Sequence, residues 1–250
     1  ASWSRGLGDV YKRQAFYWSQ YSDAFSAAVQ SNSKQLVFKD GTYPWSNPIM
    51  QNENVGNNIT MVAENMHQAI FSDTHAAPPN GRLSANGQSP TLRFKGIKLI
   101  AVDHFTLTQE CHYIFDSVHF LCQKYMSALS ITAKNCIFEV APGYQTFIFS
   151  NTGRVDIANC IFADHNDRAL AQNYLTGAQG GIIKNSIFYT KYPIERCINI
   201  LHNAVLVNCA SENITGSEGG RSFIDNLQFV DIENKNYNLR PFSPLIGQGK

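Results

Sequence analysis

The chain has 250 residues, of which 44% are hydrophobic and 16% charged, with a formal net charge of +1 at pH 7. That balance argues against nucleic acid or an anionic membrane surface as the main partner, and no apolar run approaches the ~20 residues needed to span a bilayer. The hydrophobic share suffices for a continuous core, while Asn, Gln, Ser and Thr stand where charges often would, as suits a polar surface for neutral or hydroxyl-rich ligands.

Residues 1–14 show no usable periodicity. Ser4 to Gln14 resembles a read-through segment found at the starts of conceptual translations from environmental sequence assemblies, so 1–14 is set apart as a non-native leader. The natural N-terminus, with any signal peptide, is expected to be missing. Ser22-Asp23 can cap a short helix to about Gln30, with Phe25, Ala28 and Val29 on one side. Gln35-Leu36-Val37-Phe38 reads as a first strand, Asp40-Gly41-Thr42-Tyr43 as a turn, and Asn58 to Val62 as the start of another rung. Asp73 to Pro90 is rich in Pro, Gly, Asn, Ser and Ala and reads as an exposed excursion. Asp103-His104 is a polar pair at the start of a rung, where a turn accounts for it.

From Leu92 to about Ala210 the chain repeats itself. Ala133-Lys134-Asn135-Cys136-Ile137-Phe138 is echoed by Ile157-Ala158-Asn159-Cys160-Ile161-Phe162 and by Ile183-Lys184-Asn185-Ser186-Ile187-Phe188. Fainter copies run Phe94 to Leu99, Phe115 to Phe120 and Leu206 to Cys209. Aligned on Gly96, Ser117, Asn135, Asn159, Asn185 and Asn208, they recur every ~20–25 residues, a solenoid period.

Each copy is two short alternating runs broken by one Asn, Ser or Gly. Val155 and Ile157 face one way and Asp156 the other; after Asn159, Cys160 and Phe162 share a face. Asn and Gly enter the left-handed region most cheaply, so this column suits a one-residue bend. The runs are too short and too rich in β-branched and aromatic residues for helices. A third run lies between copies at Thr146 to Phe149, Ala169 to Gln172 and Cys197 to Ile200. Three short strands per turn, stacked, make a parallel β-helix, and the preference for right-handed crossovers sets its hand. The fold class is therefore all-β: a single-stranded right-handed parallel β-helix solenoid with an N-terminal capping helix and an irregular C-terminal cap. It forms one domain over 15–250, with rungs at 34–210 and the cap at 211–250.

Of the six cysteines, Cys136, Cys160 and Cys209 share one repeat position and should point inward as small apolar fillers. Cys111, Cys122 and Cys197 share no motif, no Cys-x-x-Cys pair exists, and the spacings suit no zinc site. Ser211 to Arg221 reads as a second excursion, and the tail through Phe229-Val230-Asp231, Asn236 to Leu239 and Ser243 to Gly247 as a cover for the last rung.

The Asn-Cys-x-Phe rungs resemble the right-handed parallel β-helix superfamily, the pectate-lyase-like fold, over roughly Lys34 to Gly249. The helix, strand and Gly-Thr-Tyr turn near the start look like that family's usual opening. The superfamily spans polysaccharide lyases, glycoside hydrolases, epimerases, phage tailspikes and adhesins, so the resemblance is specific for fold and poorly specific for activity. It implies an extracellular or cell-surface bacterial protein that binds polysaccharide, with any groove along one strand face, bordered by the loops entering that strand.

Those loops follow the repeat Phe: Glu139 to Tyr144, Asp164 to Arg168 and Thr190 to Arg196. Phe162 and Phe188 share a position, so His165 and Lys191 should lie one rung, about 5 Å, apart. A lyase on uronate polymers must neutralise a carboxylate, remove the adjacent proton and protonate the leaving oxygen. Lys191, Arg168, His165 and Arg196 are the candidate catalytic residues. Tyr144, Tyr189 and Tyr192 are candidate substrate-binding aromatics, and Asp164, Asp167 and Glu195 candidate ligands for calcium, should a hard cation be used. The competing reading is that polar loops carry charge because they face water.

Other signatures are missing. Asn151-Thr152-Gly153 lacks the Asp of the polygalacturonase Asn-Thr-Asp, that family's remaining motifs are absent, and so is the Arg-x-Pro-x-x-Arg of classical pectate lyases. The expectation is an acidic-glycan lyase acting by β-elimination. The alternatives are a non-catalytic glycan-binding solenoid, such as an adhesin or tailspike segment, and a structural spacer.

Overall fold

The architecture follows from one backbone position repeated along the chain. In the computed structural model, Gly96, Ser117, Asn135, Asn159, Asn185 and Asn208 all have positive φ, from 50° at Asn185 to 66° at Gly96. This is the left-handed region, which costs an ordinary L-residue roughly 1–2 kcal/mol and Gly or Asn less. Each such residue swings the chain from one sheet into the next. Pairing continues through the bend: Ser117 N donates to Lys134 O at 2.9 Å, Asn135 N to Ala158 O at 3.1 Å, Asn159 N to Lys184 O at 3.1 Å and Asn185 N to Val207 O at 2.9 Å. His67, also at positive φ, lies in the longer turn between Ala63 and Ala69 and donates its N–H to Gly96 O at 2.6 Å.

The structure describes residues 24, 27, 28, 30–44, 59–72, 81–83, 91–101, 105–107, 111–122, 128–140, 153–163, 181–189, 204–211, 222–223 and 228–247. Among them, a first parallel sheet stacks eight strands in chain order: Gln35–Phe38, Ile59–Ala63, Thr91–Lys95, His112–Asp116, Ser130–Lys134, Arg154–Ala158, Gly181–Lys184 and Ala204–Val207. A second stacks nine, from Gly41–Pro44 through Ala69–Ser72, Lys98–Ala101, His119–Cys122, Ile137–Val140, Ile161–Ala163, Ile187–Tyr189 and Ala210–Ser211 to Ser222–Phe223. Every pairing in both sheets is parallel. The chain is thus an all-β parallel solenoid.

The third strand of a turn is present where it was not expected. Gly81–Leu83, inside the stretch read as an exposed excursion, pairs in parallel with Phe105–Leu107. Polar, Gly-rich composition concealed it because so short a strand leaves little alternation to read. The third runs expected at 146–149, 169–172 and 197–200 lie outside the described residues.

The interior is built by parity. Along the first sheet, Leu92 and Phe94, Tyr113 and Phe115, Ile131 and Ala133, and Val155 and Ile157 are buried, while Arg93, Ile114, Thr132 and Asp156 between them point to the other face. After the bend, the repeat Phe of each rung points inward and stacks on the next. Phe120 and Phe138, Phe138 and Phe162, and Phe162 and Phe188 each have centroids 4.8 Å apart and near-parallel rings. The spacing is that of paired strands, so strand pairing itself enforces the stack.

Cys136, Cys160 and Cys209 are buried, as the repeat predicts, but they do more than fill space. Their thiols lie over the backbone carbonyl two residues earlier, at 3.1 Å for Cys136, 3.2 Å for Cys160 and 3.5 Å for Cys209. Ser186 does the same with its hydroxyl at 2.8 Å and accepts from Cys160 N at 3.1 Å. The position therefore takes a small side chain with a donor, which is why Ser replaces Cys there.

At the N-terminal end, Ala24, Ala27, Ala28 and Gln30 are helical, and Ala24 and Ala28 are buried with the main core. The rest of the expected helix, including Phe25 and Val29, lies outside the described residues. The tail was expected to cover the last rung. Its described part, 228–247, packs against the flank: Phe229–Asp231 and Asn236–Leu239 form an antiparallel hairpin, and Phe229 and Tyr237 pack with Ile137, Ile161, Ile187 and Tyr189 of the second sheet; most of 211–227 lies outside the described residues.

Two outcomes follow from this geometry. Gly181 has φ 154°, and a Cβ there would lie 1.8 Å from Val155 O. Gly181→Ala should therefore destabilise the solenoid by roughly 2–4 kcal/mol, measured by urea denaturation; an unchanged midpoint would contradict this backbone approach. Burial, with the Cys160 contact adding to it, pushes the Cys136 thiol up. Iodoacetamide should leave Cys111, Cys136, Cys160 and Cys209 unmodified in the native protein and alkylate all four in denaturant, as read by peptide mass spectrometry.

Candidate functional site

The outward positions of the first sheet make an open polar face. From the strand Thr91–Lys95 to the strand Gly181–Lys184 it carries five basic residues, Arg93, Lys95, Lys134, Arg154 and Lys184, against Asp116 and Asp156. Both carboxylates are occupied locally. Arg154 Nε donates to Asp156 Oδ2 at 2.6 Å, and Ile182 N donates to Asp156 Oδ1 at 3.2 Å. Ser117 Oγ and Asn135 Nδ2 donate to Asp116 Oδ1 at 3.0 and 3.3 Å. Lys134 and Lys184 have no carboxylate partner among the described residues.

Register creates a groove here. Lys134, Ala158 and Lys184 are successive partners across three strands. The small Ala158 leaves a notch between two lysines whose backbones are about 10 Å apart along the axis, two strand spacings. The groove holds about 290 Å³ and is lined by Thr132, Lys134, Arg154, Asp156, Ile182 and Lys184, among others. Ile182 is 40% exposed, an apolar patch beside the cations. Next to the lysines runs the bend column, where Asn159 Nδ2 donates to Asn135 Oδ1 at 3.4 Å. The face offers fixed amides, two lysines with no carboxylate partner among the described residues, and a little apolar surface. Such a set can hold anionic groups carried on a hydroxyl-rich chain. Sequence reasoning passed over these lysines although the signal was visible: Lys134-Asn135 and Lys184-Asn185 occupy the same repeat position, with Ala158-Asn159 between them.

Of the ten site residues expected from sequence, Tyr189 alone is described. Its half-buried ring meets Phe229 of the tail edge to face, centroids 6.0 Å apart, so what the structure shows of it is packing. Lys191, Arg168, His165, Arg196, Tyr144, Tyr192, Asp164, Asp167 and Glu195 lie outside the described residues, as does Asp103-His104. No cluster of His, Cys, Asp and Glu fit to hold a metal occurs among the described residues.

A second polar cluster was not anticipated. Glu139, read from sequence as the start of a loop, belongs to the strand Ile137–Val140 and its side chain is 1% exposed. His119 Nε2 lies 2.9 Å from its Oε2, and Lys235 of the tail pairs with its Oε1. Burial pushes this carboxyl up, but the His119 and Lys235 hydrogen bonds and the lysine charge outweigh it, leaving Glu139 below the ordinary carboxylate range. Next to His119, the His67 ring lies edge-on at 5.7 Å, and its Nε2–H donates to Ser117 O at 2.8 Å. Burial first, then the neighbouring His119 and Lys98, hold His67 below the usual imidazole range despite that bond. No local motif signals this cluster, because Lys235 arrives from a distant part of the chain.

No helix among the described residues is long and apolar enough to cross a membrane. Comparisons with protein-family models, with curated proteins and with solved structures return no match, so the parallel β-solenoid is established by its coordinates, and the pectate-lyase-like superfamily remains a resemblance of its rungs.

Proposed function

We propose that this solenoid is an extracellular or cell-surface protein of the pectate-lyase-like kind that binds an acidic polysaccharide along its flank. The observation supporting this reading is the groove on the first sheet, where Lys134 and Lys184 border the notch at Ala158 and Arg154 is held in place by Asp156. A carboxylated or sulfated polymer lying along the axis meets a cation at every second rung. The Asn column can bond its hydroxyls, and Ile182 can contact an apolar sugar face. The second sheet offers no comparable face around Ile137, Ile161 and Ile187, because the tail covers it.

Cleavage is the further step of this proposal. In β-elimination the proton next to the uronate carboxylate is removed, the glycosidic oxygen leaves and is protonated, and a carbon–carbon double bond forms in the sugar. Lys191, Arg168, His165 and Arg196 are the residues proposed for that chemistry; were a hard cation such as calcium used, Asp164, Asp167 and Glu195 would hold it and it would supply carboxylate neutralisation. A non-catalytic glycan binder shares the groove and lacks the reaction.

Two measurements separate these readings. Isothermal titration against uronate and neutral polymers should show binding to the acidic polymers alone, weakening as salt is raised. Lys134→Ala with Lys184→Ala should weaken it about tenfold or more; equal affinity for neutral polymers, or no effect of the double variant, would remove the groove from the proposal. Incubation with the same polymers should raise the ultraviolet absorbance of unsaturated uronate ends, and Lys191→Ala and Arg168→Ala should abolish the rise without unfolding the chain. A flat trace with retained binding would assign the non-catalytic role.

A further inference from the structure

The tail hairpin and the solenoid are separately organised. The main core runs along the interior from Ala24 to Cys209 and, among the described residues, contains none of 228–247. The tail packs in a smaller cluster on the outside of the second sheet, around Phe229, Tyr237, Ala163 and Ala210. Its described backbone hydrogen bonds are largely its own: Lys235 N donates to Ile232 O at 3.0 Å, Arg240 N to Gln228 O at 2.8 Å and Ser243 N to Arg240 O at 2.9 Å. Arg240 Nε also donates back to Phe229 O at 2.9 Å. The hairpin can therefore leave the flank without breaking a rung of either parallel sheet.

What ties it down is a charge in an apolar setting. Glu139 sits among Ile137, Tyr189 and Tyr237 with its side chain 1% exposed, and Lys235 reaches it from the tail. A buried carboxylate is tolerated only while paired. Docking the tail both buries this charge and supplies its cation.

We propose that residues 228–247 are a releasable strap latched by the Glu139 carboxylate, and that removing the charge on Glu139 frees the strap while the rungs stay folded. The groups facing Glu139 are His119 from the second sheet, Lys235 and Tyr237 from the strap, and Tyr189, which faces Tyr237. Lys98 and His119 bear on His67, and neither Lys98 nor His67 is among the groups that act on Glu139. Tyr237 is held above the ordinary phenol range by burial and then by Glu139, so it stays protonated in acid. Glu139 is held below its ordinary range, so its contribution to docking is complete above that range and is lost as pH falls through the lowered value. Acid opens the latch. Release uncovers the strip of Ile137, Ile161 and Ile187, an apolar row on the flank of the solenoid.

Hydrogen–deuterium exchange of the full chain tests this, comparing wild type with Glu139→Gln and Lys235→Met near neutral pH. Amides of 229–239 should exchange about tenfold faster or more in both variants, with those of 131–138 unchanged. In wild type, strap protection corrected for intrinsic exchange should fall on acidification, and in Glu139→Gln it should be flat. Unchanged strap exchange in both variants, strap and rung amides rising together, or an acid response surviving in Glu139→Gln would each overturn the proposal. None of these results depends on whether the first-sheet groove binds a glycan.

Discussion

Everything in this molecule hangs on keeping one parallel ladder intact while the chain turns a corner. A single residue in the left-handed region does this, because its own N–H still reaches the carbonyl of the next rung. With the ladder continuous, the rung spacing becomes the spacing of everything attached to it. The Phe rings stack at 4.8 Å because their strands do. The thiols and the Ser186 hydroxyl line up behind the bend, each adding a second donor to a carbonyl that already accepts the N–H of the neighbouring bend residue.

Parity then divides the outward residues between two different fates. On the first sheet they form a solvent-facing surface on which Asp116 and Asp156 are bonded locally, while Lys134 and Lys184 have no carboxylate partner among the described residues. On the second sheet the outward row includes Ile137, Ile161 and Ile187, too apolar to be left in water, and the tail hairpin covers it. The two flanks suit different tasks: one presents fixed charge along an axis, and the other stores a segment of chain. The charge chosen to hold that segment is buried, so its strength depends on protonation in a way no surface pair would.

Residue by residue, the repeat was the legible part. The bend column was readable because a positive φ restricts which residue types are tolerated, and Asn135, Asn159 and Asn185 show it plainly. Inward Cys and Phe were readable because burial selects for type at a fixed parity. Gly81–Leu83 was missed because a strand of three residues carries almost no pattern. The groove at Lys134 and Lys184 was partly legible, since both precede the bend Asn, but charged residues on an outward column are ordinarily just solvated, so the repeat position alone does not mark them as a site.

The sequence by itself determined the rung: its length, its bend, its inward faces and the parallel stacking, since each is a local rule repeated until it leaves one solution. Only the tertiary structure decided what lies against the rungs. That Lys235 meets Glu139 and that Tyr189 packs on Phe229 are contacts between segments far apart in the chain. Nothing local encodes them, because they arise only when the stacked solenoid presents a flank for the tail to meet.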